Sequence, residues 1–281
     1  MENFEEEKSE PINKSQRVVT RETVTRIIKD VREVVKDESL VSTGIYYKHD
    51  MDNFMNGSAM IIGPENTPYH NGMFFFTFTF PENYPYSPPK VLFMNKSKDT
   101  RVRMNPNLYE NGKVCLSILN TWKGEKWTAC QSIRSILLVL QTAVFTETPL
   151  VNEPGISEGH KDNPVYNMVV RYSTIYDCYI LIANRAYTDT NEAIHEKNFQ
   201  EEIKGHVQKH KDFYTKEWND LKDEMMMQYI IIRTYGLHVK PNWKRIEDDT
   251  SQFDKIHKEK KPKVTKTKSE KTKSEKKIDE K

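Results

Sequence analysis

Apolar residues recur with helical spacing at the start of the chain and with strand spacing further on. Over residues 17–35 they fall every three or four positions, which predicts an amphipathic helix with Arg and Lys on its outer face. Within 73–80, phenylalanine occupies every second position, as in a strand with one buried face. Shorter apolar runs at 40–47, 58–62 and 91–94 predict three further strands, so this region indicates a meander.

Helical periodicity replaces the strand pattern in the second half of the chain. The segment 128–131 has capping-box spacing, which predicts a helix over 132–145. A further helix is expected to start near Pro164. Apolar residues then recur at mostly four-residue steps over 194–221, and 225–235 is expected to extend that long helix or to form another. A helix, an antiparallel meander and then helices indicate an α+β fold.

Charge is distributed unevenly over the 281 residues, although the net charge is only +2. The first ten residues hold five glutamates and one lysine, whereas 255–281 holds twelve lysines and five acidic residues. The lysine-rich end lacks the apolar residues that offset the entropy of ordering, so we expect it to be disordered. The predicted divisions are an acidic flexible N-terminus at 1–15, a core domain at 16–188, a helical extension at 189–250 and a disordered Lys-rich tail at 251–281.

The number of cysteines, the lengths of the apolar runs and the placement of positive charge also bear on location and partners. Three cysteines cannot all pair with one another and form no C-x-x-C motif, so a reducing compartment, cytoplasmic or nuclear, is expected. No apolar run approaches the ~20 residues that span a membrane, and the acidic N-terminus lacks a signal-peptide pattern. Nucleic-acid binding is disfavoured because the positive charge is confined to the tail. The tail itself is expected to solubilise the protein or to direct it to the nucleus through residues 260–263.

The segment 105–116 carries the clearest candidate chemistry. It places Cys115 just after a turn that contains Gly112, with the side-chain amide of Asn107 upstream. A thiol can hold an acyl group as a reactive thioester, and a fixed amide can stabilise the oxyanion that forms during transfer. The plain alternatives are a cysteine that acts as a small buried hydrophobe and an asparagine that caps a turn.

Four motifs along the chain occur in the order in which ubiquitin-conjugating enzymes carry them. They are Pro64-Glu65-Asn66-Thr67-Pro68-Tyr69 with Gly72 and Phe74, the loop Tyr84-Pro85-Tyr86-Ser87-Pro88-Pro89-Lys90-Val91, the cysteine motif 105–116, and Trp127-Thr128. The chain therefore resembles this family over residues 16–185. The resemblance implies the ubiquitin-conjugating fold, with an N-terminal helix, a four-stranded antiparallel meander and C-terminal helices, here followed by a helical extension.

Further features resemble the large Z-type branch of the family. That branch has Asn-Pro-Asn, as at 105–107, where other members have His-Pro-Asn, and it shares the run 111–119. It also shares Thr121-Trp122 in a longer loop, Asn-Glu-Pro-Gly at 152–155, and a helical C-terminal extension. In the family the replaced histidine is mainly structural, so Asn105 is expected to affect loop packing more than chemistry.

The resemblance implies an acyl-transfer cycle on Cys115. A ubiquitin-activating enzyme would pass ubiquitin or a ubiquitin-like protein to this thiol, with Asn107 as oxyanion or loop stabiliser. A lysine of a protein substrate, or a ubiquitin ligase, would then accept the modifier. No bound cofactor or metal is expected, because ATP is used upstream by the activating enzyme. The alternative is an inactive family member that acts as a binding scaffold, which would need neither Cys115 nor Asn107.

The resemblance also implies supporting roles for other residues. Asn152 and Glu153 are candidates for a gate, the residue that helps the incoming lysine lose its proton. Contacts with the ligase or activating enzyme are expected from Tyr86, Ala129, Cys130, Arg17, Arg21 and Arg26. Val139 and Thr142 are expected to face the bound ubiquitin. For the arginines the alternative is a solvated helix face, and for Tyr86 it is a packed loop. Cys130 and Cys178 are otherwise expected to be small hydrophobes.

Overall fold

A four-stranded antiparallel sheet, with its strands in sequential order, forms the centre of the fold. This computed structural model describes residues 19–96, 103–188, 194–226 and 230–258. The strands are β1 (Ile45–His49), β2 (Asn56–Ile62), β3 (Met73–Thr79) and β4 (Lys90–Phe93). In the register, Ile61 of β2 lies opposite Ile45 on one side and Phe74 on the other. The predicted meander is confirmed.

Helices precede and follow the sheet, as the α+β prediction requires. They are α1 (Arg21–Lys36), α2 (Glu38–Ser42), α3 (Ile133–Val139), α4 (Asn163–Ile175), α5 (Leu181–Thr188), α6 (Ile194–Lys197), α7 (Gln200–Met226) and α8 (Trp243–Lys258). In the part of the chain that the structure describes, no helix has both the length and the apolar character needed to cross a membrane. The predictions for 1–15 and 259–281 lie outside the described residues.

The first strand begins later than its apolar run predicts. Leu40 lies in α2 rather than in β1, because the Asp37 side chain accepts a hydrogen bond of 3.0 Å from the backbone N–H of Ser39 and caps a short helix. Leu40 is still buried, at 2% exposure. Local capping therefore overrides the hydrophobic pattern at this point.

The helix that follows the cysteine region begins at Ile133, close to the predicted start at 132, but the capping-box segment 128–131 forms a turn that lies outside it. The carbonyl oxygen of the Gln131 side chain accepts a hydrogen bond from the backbone N–H of Thr128 at 3.0 Å, which closes a turn instead of a helix. Ser132 is the N-terminal cap, and its N–H donates to the hydroxyl of Ser135 at 3.3 Å. From there α3 continues into a π-helical turn, Leu140–Val144.

Both faces of the sheet are buried. Phe74 packs on Phe145 after the π-helical turn, with ring centroids 4.5 Å apart, as the alternating phenylalanines predict. Phe75 points to the opposite face and is fully buried, although the pattern predicted a strand with only one buried face. Its ring lies 5.4 Å from that of His195 and 6.1 Å from that of Phe199, at α6 and just before α7. The C-terminal extension therefore covers the outer face of the sheet.

The extension contains a hairpin that periodicity missed. Residues 225–235 were expected to be helical, but β5 (Ile230–Ile232) pairs with β6 (Leu237–Val239). Three consecutive isoleucines favour a strand, and Gly236 adopts a φ of +60° in the turn that joins the two strands. The boundary drawn at 250/251 falls inside α8, which buries Phe253 and ends at Lys258.

A cluster of histidines lies where α7 meets the core. His206 Nε2 is 2.8 Å from the backbone carbonyl oxygen of Asn71, and its ring lies 4.6 Å from that of His210. Burial lowers the pKa of His206 to about 4, and the nearby His210, Lys209 and His70 lower it as well, whereas the Asn71 carbonyl opposes the shift. His206 is therefore neutral in the folded protein near pH 7.

Acidification should weaken the docking of α7. An unfolded His206 takes up a proton below pH ~6.5, whereas the folded one resists protonation until about pH 4, so stability falls across that interval, by at most about 3 kcal/mol. We expect the urea midpoint of His206→Gln to fall less than that of wild type over this pH range. The exposed His238→Gln is the matched control. Equal pH dependence of all three proteins would contradict the assignment.

Candidate active site

Cys115 and Asn107 are joined by two hydrogen bonds. The N–H of Cys115 donates to the backbone carbonyl of Asn107 at 2.9 Å, and the Asn107 side-chain Nδ2 donates to the backbone carbonyl of Cys115 at 2.6 Å. A backbone bridge between Leu108 and Val114 closes the same loop. The loop is therefore fixed at the position of the thiol by reciprocal contacts, which satisfy polar groups of both residues.

Glycine is required at the turn of this loop. Gly112 has a φ of +85°, and a Cβ atom there would lie 2.9 Å from the carbonyl oxygen of Phe93. The close approach lets the N–H of Phe93 donate to the Gly112 carbonyl at 2.8 Å. Strand β4 therefore anchors the turn that precedes Cys115.

Thr121 supports the other side of the cysteine segment. Its hydroxyl accepts a hydrogen bond from the N–H of Leu116 at 2.9 Å and donates to the carbonyl of Val114 at 2.7 Å. These two residues flank Cys115, so one hydroxyl holds the backbone on both sides of the thiol. Sequence reasoning used Thr121 only as a feature of the longer loop and did not predict this contact.

A chain of side-chain amides extends from the loop toward the predicted gate. Asn105 is fully buried, and its Oδ1 accepts from the N–H of Asn107 at 2.8 Å and from Asn152 Nδ2 at 3.3 Å. Its Nδ2 donates to the carbonyl of Val144 at 2.7 Å. The contacts of Asn105 are those of a packing residue, as the resemblance implied. Asn152 also donates to the carbonyl of Ala143 at 2.9 Å.

The two gate candidates have different surroundings. The amide of Asn152 is committed to the contacts just described, whereas the half-buried Glu153 accepts a hydrogen bond from the hydroxyl of Tyr235 at 2.7 Å. Tyr235 lies in the turn of the C-terminal hairpin. Sequence reasoning did not identify it, because no local pattern links a residue of the extension to Glu153.

The surface predicted to meet partners is built around Arg26. Its guanidinium donates to the carbonyls of Ala129 and Gln131 at 2.6 and 2.5 Å and pairs with the buried Asp30 at 2.8 Å. These contacts hold the segment that carries Cys130 against α1. Arg26 therefore shapes the surface, in addition to any part it takes in binding.

The proline loop lies beside this segment. Trp127 Nε1 donates to the carbonyl of Pro85 at 2.6 Å, and Tyr86 is 65% exposed with its hydroxyl on the Glu22 carboxylate at 2.7 Å. Arg21 lines a shallow groove at the same place. The structure therefore brings Tyr86, Arg21, Ala129 and Cys130 together, while Arg17 lies outside the described residues.

Val139 and Thr142 lie one helical turn apart on the helix that follows the cysteine region. Val139 is half-buried, and Thr142 is exposed with its hydroxyl on the Leu138 carbonyl at 2.8 Å. Their spacing puts both on one side of the helix, so they could face the same bound protein.

The three cysteines have different environments, and all are free thiols. Cys115 is 2% exposed and Cys178 is 1% exposed, whereas Cys130 is exposed. Burial raises the pKa of Cys178 well above its usual value, and the nearby Asp177 adds to this effect. Cys178 is therefore an unreactive core residue, as its sequence context predicted.

The comparison with protein families agrees with the fold and with the cysteine loop. Residues 26–172 match the family model described as ubiquitin-conjugating enzyme. The chain belongs to this family.

The curated relatives of this chain indicate its branch of the family. The ubiquitin-conjugating enzyme E2 Z of Xenopus tropicalis is 39% identical over 186 residues, which cover 65% of this chain and 58% of that protein. The human protein of the same name is 43% identical over 152 residues, 53% of this chain and 42% of its own. The resemblance to the Z-type branch is confirmed, and the chain spans about half the length of these relatives.

A solved structure also matches this chain. It is the E2 domain of a ubiquitin conjugating enzyme from Toxoplasma gondii, 27% identical, with a TM-score of 0.41. The match covers 53% of this chain and 94% of that one.

The environments of the thiols predict an order of alkylation. In native protein treated with iodoacetamide, we expect Cys130 to be modified first and Cys178 only after denaturation, because burial and a raised pKa deprive Cys178 of thiolate. Peptide mass spectrometry over time measures the order. The Cys130→Ser variant should lose the fast phase, and labelling of the two remaining cysteines should be unchanged. Native labelling of Cys178 at the rate of Cys130 would contradict the assignment.

Proposed function

We propose that this protein is an active Z-type conjugating enzyme that carries ubiquitin or a ubiquitin-like protein on Cys115. The observation that supports it most is the pair of hydrogen bonds that fixes Cys115 against Asn107, inside the region that matches the family. The Cys115 thiolate attacks the thioester that joins the modifier to an activating enzyme, and the thiolate of that enzyme leaves. One thioester replaces another in this exchange, so the acyl group stays activated.

In the second step the modifier passes to a lysine or to a ligase cysteine. A neutral lysine amine attacks the thioester carbonyl, an oxyanion forms, and the Cys115 thiolate leaves as the amide bond closes. One N–H of Asn107 holds the carbonyl of Cys115, and its amide carries a second N–H for the oxyanion. Asn107 then has both of the roles expected for it.

Glu153 is the better of the two gate candidates. Its carboxylate can accept the proton that the attacking amine nitrogen loses as the amide bond forms, whereas the amide of Asn152 binds the loop and has no comparable basicity. The activating enzyme and ligases would meet the surface formed by Tyr86, Ala129, Cys130 and Arg21, which Arg26 holds in shape. Arg17 completes that proposal, and Val139 and Thr142 are the proposed contacts of the carried modifier.

The cycle needs no cofactor or metal on this chain, since the activating enzyme uses the ATP. We place it in the cytoplasm or nucleus, where free thiols such as these persist. The second candidate is a non-catalytic scaffold that binds ubiquitin or a ligase. The low exposure of Cys115 favours it, and thioester formation distinguishes the two.

Charging of Cys115 is the direct test. Incubation with ATP and a panel of activating enzymes and modifiers should give an adduct on non-reducing gels that thiols cleave. Cys115→Ala should abolish it, and Cys115→Ser should convert it to an ester that resists thiols, because an oxygen ester exchanges poorly with them. Cys130→Ser is the matched control and should charge like wild type. An adduct that persists in Cys115→Ala, or none with any pair, would reject the proposal.

Removal of the Asn107 amide should affect the transfer step most. In Asn107→Ala, discharge of a preformed thioester to free lysine should slow by about 100-fold, the usual effect of one lost oxyanion donor of ~3 kcal/mol. Single-turnover assays measure it. Asn53→Ala is the control, because Asn53 makes a similar local hydrogen bond, to the N–H of Met55, in the turn before β2. Wild-type discharge by Asn107→Ala would contradict the assigned role.

A further inference from the structure

The turn of the C-terminal hairpin donates hydrogen bonds to two carboxylates of the core. The hydroxyl of Tyr235 donates to Glu153 Oε2 at 2.7 Å. Its neighbour Thr234 donates twice to Asp162 Oδ2, from its N–H at 2.7 Å and from its hydroxyl at 2.8 Å. Both carboxylates follow the cysteine region in the chain, so the extension is attached to the segment between the π-helical turn and α4.

The contact at Asp162 is a firm anchor. Asp162 is 1% exposed, and burial alone would raise the pKa of its carboxyl group. The hydrogen bonds from Thr234, together with the nearby His160 and Arg233, outweigh burial and lower the pKa of this carboxyl group. A buried carboxylate that keeps its charge binds its donors strongly. Thr234 therefore fixes the position of the hairpin turn.

The ring of Tyr235 is held from two sides. It lies 6.0 Å from the ring of Tyr166 and 5.7 Å from the guanidinium of Arg103. The same guanidinium lies 4.2 Å from the ring of Tyr109, which belongs to the cysteine loop. With the ring fixed in this way, the hydroxyl of Tyr235 has a defined direction toward Glu153.

A continuous path of contacts links this hydroxyl to the thiol loop. Glu153 follows Asn152 in the chain, and the side-chain amide of Asn152 donates a hydrogen bond to Asn105 Oδ1. The same oxygen accepts a hydrogen bond from the N–H of Asn107. Asn107 holds the carbonyl of Cys115. A shift of Glu153 would therefore act on a segment that is directly attached to the support of the catalytic loop.

We infer that Tyr235 is a positioning residue for the lysine-transfer step. It occupies one oxygen of Glu153 and turns the carboxylate so that its remaining lone pairs accept the proton of the attacking lysine. As the neutral amine attacks the thioester carbonyl, the Cys115 thiolate leaves and the amine proton ends on Glu153 or on water. This inference rests on the proposed function and assigns part of the catalytic geometry to the extension.

Tyr235→Phe is the variant that isolates the hydroxyl. It keeps the ring beside Tyr166 and Arg103 and removes only the hydrogen bond to Glu153. Full-length protein is charged, the activating enzyme is quenched, and discharge is followed at increasing concentrations of free lysine. We expect the maximal rate to fall roughly three- to tenfold, part of what a positioned acid–base group supplies, with little change in the KM for lysine.

Two further variants separate positioning from general structure. The control is Tyr176→Phe, which removes an equivalent hydroxyl–carboxylate bond, 2.6 Å to Asp249 of α8, away from the Glu153 segment. It should discharge at the wild-type rate. The double variant Glu153→Gln with Tyr235→Phe should be no slower than Glu153→Gln alone, because Tyr235 acts through Glu153.

The outcomes are distinct. Three results would overturn the role of Tyr235 and leave the proposed function intact. They are normal charging with wild-type discharge by Tyr235→Phe, a rise in KM alone in that variant, and additive effects in the double variant. Equal slowing by Tyr176→Phe would assign the effect to docking of the extension and also overturn it. Failure of the wild-type protein to charge would reject the proposed function and this inference with it.

Discussion

The reciprocal hydrogen bonds between Asn107 and Cys115 are the constraint on which the site depends. A cysteine on a free loop would offer its thiol in many directions, whereas this one has its N–H and its carbonyl tied to a single residue. Gly112, Thr121 and Asn105 each act on the same loop from a different side. Their common effect is to reduce the entropy that would be lost when the thioester reaches a reactive geometry.

The sheet beneath this loop contacts both the helix of the core and the C-terminal extension. Its inner face packs on the helix that follows the cysteine segment, and its outer face packs on the extension through Phe75. The ion pairs Lys48–Glu202 and Arg171–Glu217 also join α7 to the core. Since exposed pairs contribute little, most of the attachment comes from buried aromatic surface.

The parts of the fold that could be predicted are those that local pattern determines. The alternating phenylalanines located β3 and its buried face, and the spacing of Asn107 and Cys115 located the loop. Competing local signals explain why Leu40 lies in a capped helix instead of a strand, and why the capping-box segment at Thr128 forms a turn. The contact of Tyr235 with Glu153 could not be predicted, because it depends on a distant hairpin within a segment for which a helix was expected.

The burial of Phe75 has a consequence for how this protein can change over time. A chain that ended before His195 would present an aromatic, β-rich surface to water, which is a surface prone to self-association. Deletions in the extension are therefore expected to lower the solubility of the protein before they lower its activity. Substitutions on the outer face of the sheet and at the start of the extension therefore have to preserve the packing of Phe75 against His195 and Phe199.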